Sequence, residues 1–94
     1  MEHYILAKFK ADVREKESLL PRIREIFAAA TDIPGVYSAD VYPCCVARSN
    51  RYDVMIVIHM EPAALDAYDV SAMHHRWKDE FTPLLESKAI FDHL

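Results

Sequence analysis

The sequence is poor in glycine: Gly35 is the single example in 94 residues. Loops that cradle phosphates need several glycines at set spacing, so Walker-type and dinucleotide-type nucleotide chemistry is excluded. Cysteine is almost as scarce, and Cys44 and Cys45 are adjacent, which rules out a framework of structural disulfides and leaves reduced thiols as the expectation. Positive charge is also in deficit, with 11 Lys and Arg against 15 Asp and Glu and a net charge of -4. Such a balance offers no basic stripe for a phosphate backbone, and no nucleic-acid partner is expected. No apolar run approaches the roughly 20 residues that cross a bilayer, and no charged-then-apolar leader opens the chain, so the expectation is a soluble cytoplasmic protein without membrane contact.

What is present is an ordinary globular balance, 52% apolar and 28% charged, in a length suited to one domain over residues 1–94. Residues 3–10 alternate, with His3, Ile5, Ala7 and Phe9 on one face and Tyr4, Leu6, Lys8 and Lys10 on the other, as in a strand. Over residues 18–30 the spacing of Leu19, Leu20, Ile23, Ile26, Phe27 and Ala30 predicts a helix with one buried stripe, Pro21 being tolerable near its start. Pro34 and Gly35 stop it, and residues 36–42 read as a second strand ended by Pro43. After a polar connection over 44–51, residues 52–60 (YDVMIVIHM) form the strongest strand pattern in the chain. Pro62 opens a short helix to about Tyr68, Ser71 can cap a further helix bearing Trp77, Phe81 and Leu84 or Leu85, and residues 88–93 close as a fourth strand. The order β-α-β-β-α-β, with the second helix broken, is that of an α+β ferredoxin-like split βαβ with a four-stranded antiparallel sheet.

Two helical segments cover one side of such a sheet, yet the third strand is apolar on both: Met55 and Val57 on one side, Val54, Ile56, Ile58 and Met60 on the other. The economical cover for the remaining side is the same face of a second copy, which gives a homodimer whose two sheets close into a dimeric α/β barrel around a cavity. On this expectation His3, with Ile5, Ala7 and Phe9, lines the enclosed space.

The segments HYILAKFK, IPGVYSADV, YDVMIVIHM, AYDVSAMHHRWKDEF and IFDH resemble, in order and spacing, the stress-responsive dimeric α/β-barrel (Dabb) family. The resemblance spans nearly the whole chain. It implies ferredoxin-like homodimers, mostly of unassigned activity, among which are stress-induced plant proteins and a plant polyketide cyclase. In that cyclase a first-strand histidine, a tyrosine and a histidine six residues later line the cavity, and the matching positions here hold His3, Tyr68 and His74. Where many relatives have His-Pro-x-His, this chain has Ser71-Ala72-Met73-His74 followed by an additional His75.

Tyr68 and His74, six residues apart, would diverge by about 120° on one continuous helix and converge only if it breaks. A cap at Ser71 places His74 in the first turn of a new helix, where the positive end of the dipole disfavours a second positive charge and keeps the imidazole able to accept a proton. One reading is a noncatalytic chamber for a small apolar or aromatic ligand, lined by Ile5, Ala7, Phe9, Trp77 and Phe81. A second is a cofactor-free cyclase or isomerase in which His74 is the general base and Tyr68 or His3 hydrogen-bonds a carbonyl as negative charge develops. A third, by likeness of fold alone, is a cofactor-free monooxygenase. Against all three stands the plainer possibility that Tyr68 and His74 merely pack the helix break and His3 satisfies a backbone group. Trp77 and Phe81 at helical spacing also suit an ordinary core. His3, His74 and His75 lack the i, i+4 spacing of a helical metal site, so no metal is expected. Cys44 and Cys45 have only Arg48 nearby to favour a thiolate and read as small loop residues.

Overall fold

The computed structural model describes residues 1–94. Its regular elements are β1 (Glu2–Phe9), α1 (Leu20–Ala28), β2 (Val36–Pro43), β3 (Val54–Met60), α2 (Leu65–Asp69), α3 (Ala72–Phe81) and β4 (Leu85–His93). The strands pair antiparallel in the order β2-β3-β1-β4, so the two most apolar strands lie in the middle and β4 forms an edge. This is the ferredoxin-like α+β architecture that the pattern predicts. No helix is long and apolar enough to cross a membrane.

Several boundaries differ from the sequence expectation, each for a local reason. α1 is shorter than residues 18–30, because the chain tightens into 3₁₀ turns at Lys16–Leu19 before it and Ala29–Asp32 after it. β3 begins at Val54 rather than residue 52, since the Asp53 carboxylate turns aside to accept the Phe9 N–H at 2.8 Å. β4 begins three residues early, at Leu85, so Leu84 closes a 3₁₀ turn and Leu85 is strand rather than helix. The polar residues Glu86 and Ser87 conceal that start, because an edge strand need not alternate apolar with polar. Gly35 has φ +87°, in the left-handed region, and makes the tight return from α1 into β2.

Packing separates the two sheet faces. Ile5, Ala7 and Phe9 of β1, Val54, Ile56, Ile58 and Met60 of β3, and Val36 and Val41 of β2 are buried together with Ile23, Ile26 and Phe27 of α1 and Met73, Trp77 and Phe81 of α3. Trp77 is the hinge of this core, edge-on to Phe27 at 5.2 Å and stacked on Phe81 at 5.0 Å between ring centroids. On the surface the Arg22 fork grips Glu80 and ties α1 to α3. The opposite face carries Tyr4 and Leu6 of β1 beside Met55 and Val57 of β3, and Tyr4 faces Phe91 of β4 across the ladder. No helix covers it, and Phe91 and Tyr42 are 65% and 50% exposed.

His3 lies on the helix-covered face, 5% exposed, and not on the open one. The expectation that His3 and its strand-mates line a space enclosed between two copies is therefore corrected. Strand alternation groups His3 with Ile5, Ala7 and Phe9, but the helices cover that group within a single subunit.

Candidate functional site

The helix break is built by Ser71. Its hydroxyl donates to the Tyr68 carbonyl at 2.7 Å and accepts the His74 N–H at 3.2 Å, which ends α2 and starts α3 with one side chain. The chain turns between the two helices, and Tyr68 and His74 meet with ring centroids 4.6 Å apart. On the other side of Tyr68, His3 presents its ring edge-wise at 5.3 Å. The three side chains thus stand in a row, with the phenol between two imidazoles.

They border a cavity of about 280 Å³ between α2, α3 and the β1–β4 half of the sheet. Of the other residues expected to line a ligand chamber, Ile5 and Trp77 reach this cavity. Ala7 and Phe81 do not; both are packed in the core, and Phe9 borders a different hollow near the β2–β3 connection. Five residues that border the cavity were not singled out from the sequence: Leu65, Asp69, Lys88, Ile90 and Asp92. Asp92 had a readable signal, since the register sets it directly opposite His3 once β1 and β4 are paired.

Hydrogen bonding settles how both imidazoles are presented. His74 Nδ1 lies 2.9 Å from the Asp69 carbonyl oxygen, which can only accept, so Nδ1 carries the proton and Nε2 of the neutral ring holds the lone pair. His3 Nδ1 lies 2.5 Å from Asp92 Oδ1, and the carboxylate holds that ring in the same sense. Nε2 of each ring is left without a hydrogen-bond partner. Burial pulls the His74 pKa below its ordinary value of 6.5, with Lys78 and Lys88 adding to the effect, while the hydrogen bond to Asp69 opposes it. His74 is accordingly a neutral base at neutral pH.

Tyr68 is 1% exposed and its hydroxyl is the one buried side-chain polar atom with no hydrogen-bond partner. Burial raises its pKa well above the ordinary value of 10, and the nearby Asp69 and Asp92 carboxylates raise it further, so the phenol keeps its proton. An unpaired buried hydroxyl is costly, commonly about 1–3 kcal/mol, and is uncommon unless a ligand or water takes the bond. The site therefore offers one protonated donor, the Tyr68 hydroxyl, beside the neutral His74 ring, whose Nε2 can accept. No cluster of three or more His, Cys, Asp or Glu side chains is arranged to hold a metal ion.

Comparison with known proteins agrees with this architecture. The family model described as Stress responsive A/B Barrel Domain matches residues 1–93. A dimeric protein of unknown function with a ferredoxin-like fold from Bacteroides fragilis superposes with TM-score 0.81 at 18% identity, over 98% of this chain and 92% of that one. A Dabb family protein with a ferredoxin-like fold from Mesorhizobium loti gives TM-score 0.73 at 18% identity, over 99% and 93%. A hydroxynitrile lyase from Passiflora edulis gives TM-score 0.72 at 13% identity, over 98% and 89%. At these identities the structural likeness speaks for the fold alone. Among curated proteins none matches.

Proposed function

Starting from the fact that the chain belongs to the stress-responsive A/B barrel domain family, we propose that its helix-side cavity binds a small carbonyl compound with an apolar or aromatic body and moves a proton on it without a cofactor. The observation that carries this reading is the partnerless Tyr68 hydroxyl, buried between two imidazoles whose Nε2 atoms are free. His74 Nε2 takes a proton from the carbon beside the carbonyl. The C–H electron pair becomes the C=C bond of an enolate, and the oxygen that gains negative charge accepts a hydrogen bond from Tyr68. His3, held by Asp92, supplies the second polar contact. Ile5, Leu65 and Trp77 offer the apolar wall on which the body of the compound rests.

The same reading includes a homodimer in which the open sheet face, with Tyr4, Leu6, Val57 and Phe91, meets its copy. Neighbours of the same fold from Bacteroides fragilis and Jannaschia are described as dimeric, which supports it. The cavity and its polar row lie within one subunit, so the chemistry does not require the partner.

The test is deuterium uptake into acetophenone followed by proton NMR in D₂O. The expected result is uptake accelerated by the protein and slowed on the order of a hundredfold by His74→Ala and by Tyr68→Phe. Acetophenone that raises the unfolding temperature while exchanging no faster than in buffer would leave a binding chamber without catalysis. Absence of both effects would count against the cavity as a site for aryl ketones.

A further inference from the structure

Lys88 is the one lysine or arginine that borders the helix-side cavity. Its place opposite Ala7 in the β1–β4 ladder sets it on the helix-covered face, in line with Ile90 and Asp92. The residue is exposed and forms no ion pair. Its positive charge nevertheless acts on the His74 ring, where it helps to keep the imidazole neutral.

Two carboxylates also border the cavity, and neither neutralises Lys88. Asp92 is engaged by the His3 ring at 2.5 Å, on the far side of Tyr68 from His74. Asp69 ends α2, where its backbone carbonyl fixes the His74 ring. At that ring the ammoniums of Lys78 and Lys88 oppose the single carboxylate of Asp69. A cation brought there would meet two like charges, whereas an anion would meet an ammonium without a partner.

Tyr68 supplies an independent sign that a ligand oxygen belongs in the cavity. The residue is 1% exposed, and its hydroxyl is a buried donor with nothing to receive its proton. The cavity thus presents a neutral donor and a cationic one, with Ile5, Leu65, Trp77 and Ile90 as apolar lining. A matching ligand carries one uncharged oxygen, one negatively charged group and an apolar remainder. A volume of about 280 Å³ keeps that ligand small. We infer that the substrate is a small keto acid, its ketone oxygen taken by Tyr68 and its carboxylate held by Lys88. The ketone half rests on the proton transfer proposed above, whereas the carboxylate subsite stands or falls by itself. Because Lys88 stays in contact with water, the pair it forms should favour the acid by about fivefold.

The experiment compares 3-benzoylpropionate with its methyl ester, which share an aryl ketone and differ by one negative charge. Deuterium uptake at the methylene beside the ketone is followed by proton NMR in D₂O, and the unfolding temperature is measured with each compound. The acid should exchange with kcat/KM about fivefold above the ester, mainly through a lower KM, and added salt should shrink the difference. Lys88→Gln should abolish the preference and Lys88→Arg should keep most of it, a contrast that a merely structural lysine would not produce. The position is exposed, so both variants should unfold at the parent temperature without ligand, which verifies their folding. Equal exchange of acid and ester, or a preference that survives Lys88→Gln, would overturn the carboxylate subsite and leave the proton transfer standing. Stabilisation by the acid above the ester, lost in Lys88→Gln and without exchange of either compound, would support the subsite and overturn the proton transfer. Indifference to both compounds would overturn the two together.

Discussion

Tyr68 shows how one atom can set stability and function against each other. Its hydroxyl is desolvated with nothing to bond, whereas the ring fills space between His3 and His74. Tyr68→Phe keeps the ring and removes the unpaired group, so it should raise the stability of the ligand-free protein by on the order of 1 kcal/mol in urea unfolding while deuterium exchange falls. His74 adds a pH signature. Its folded pKa lies below 6.5, so between those two values the unfolded chain binds more protons than the folded one, and stability rises with pH across that window. The cost is fully present below the folded value and has vanished above 6.5. His74→Gln should flatten this part of a plot of urea midpoint against pH. Exchange should likewise fall in acid with an apparent pKa below 6.5. The residue types at this site were readable in advance, whereas Asp92, 89 positions from His3, becomes readable only once the pairing of β1 with β4 and its register are known.

Among the elements, the paired helices α2 and α3 do most to make the site, and their joint was legible. A serine three residues before His74 and three after Tyr68 is a helix-capping signal, and a break there is the only way to bring two side chains six positions apart onto one another. The start of β4 was hidden, since Glu86 and Ser87 look like loop and nothing local reports that β1 offers a hydrogen-bonding edge. The turn from α1 to β2 was legible through Gly35, and the structure adds why the residue must be small as well as flexible: a Cβ there would lie 3.1 Å from the Ala64 Cβ. With φ at +87°, Gly35→Ala should destabilise by roughly 1–2 kcal/mol, read from the denaturation midpoint at constant m-value. A smaller loss would mean that the turn relaxes into another conformation.

At the scale of the molecule, a sheet with helices on one side leaves Tyr4, Leu6, Met55, Val57 and Phe91 to be covered by something else. Phe91 is 65% exposed in the isolated subunit, so its replacement leaves the subunit core untouched. Phe91→Glu should shift sedimentation from dimer to monomer at micromolar concentration without lowering helical circular dichroism, because a charge buried at a two-fold interface meets its own copy or loses its water. The site residues belong to the other face, so monomeric Phe91→Glu protein should retain deuterium exchange. Loss of exchange together with dimerisation would place part of the chemistry between subunits.

Read along the chain, the amino acids alone determine the order of the elements, the grouping of His3 with Ile5, Ala7 and Phe9, the break at Ser71 and the presence of one more greasy face than the helices can hide. These are local or periodic properties, and a strand's two-residue repeat or a cap's hydrogen bonds follow from neighbours in sequence. Which of the two groups the helices cover is not periodic information, because alternation is symmetric between the sides of a sheet. Only the packing of α1 and α3 on Ile5, Ile56 and Ile58 decided that His3 lies beneath helices. That choice placed the cavity inside one subunit and brought Asp92 to the His3 ring.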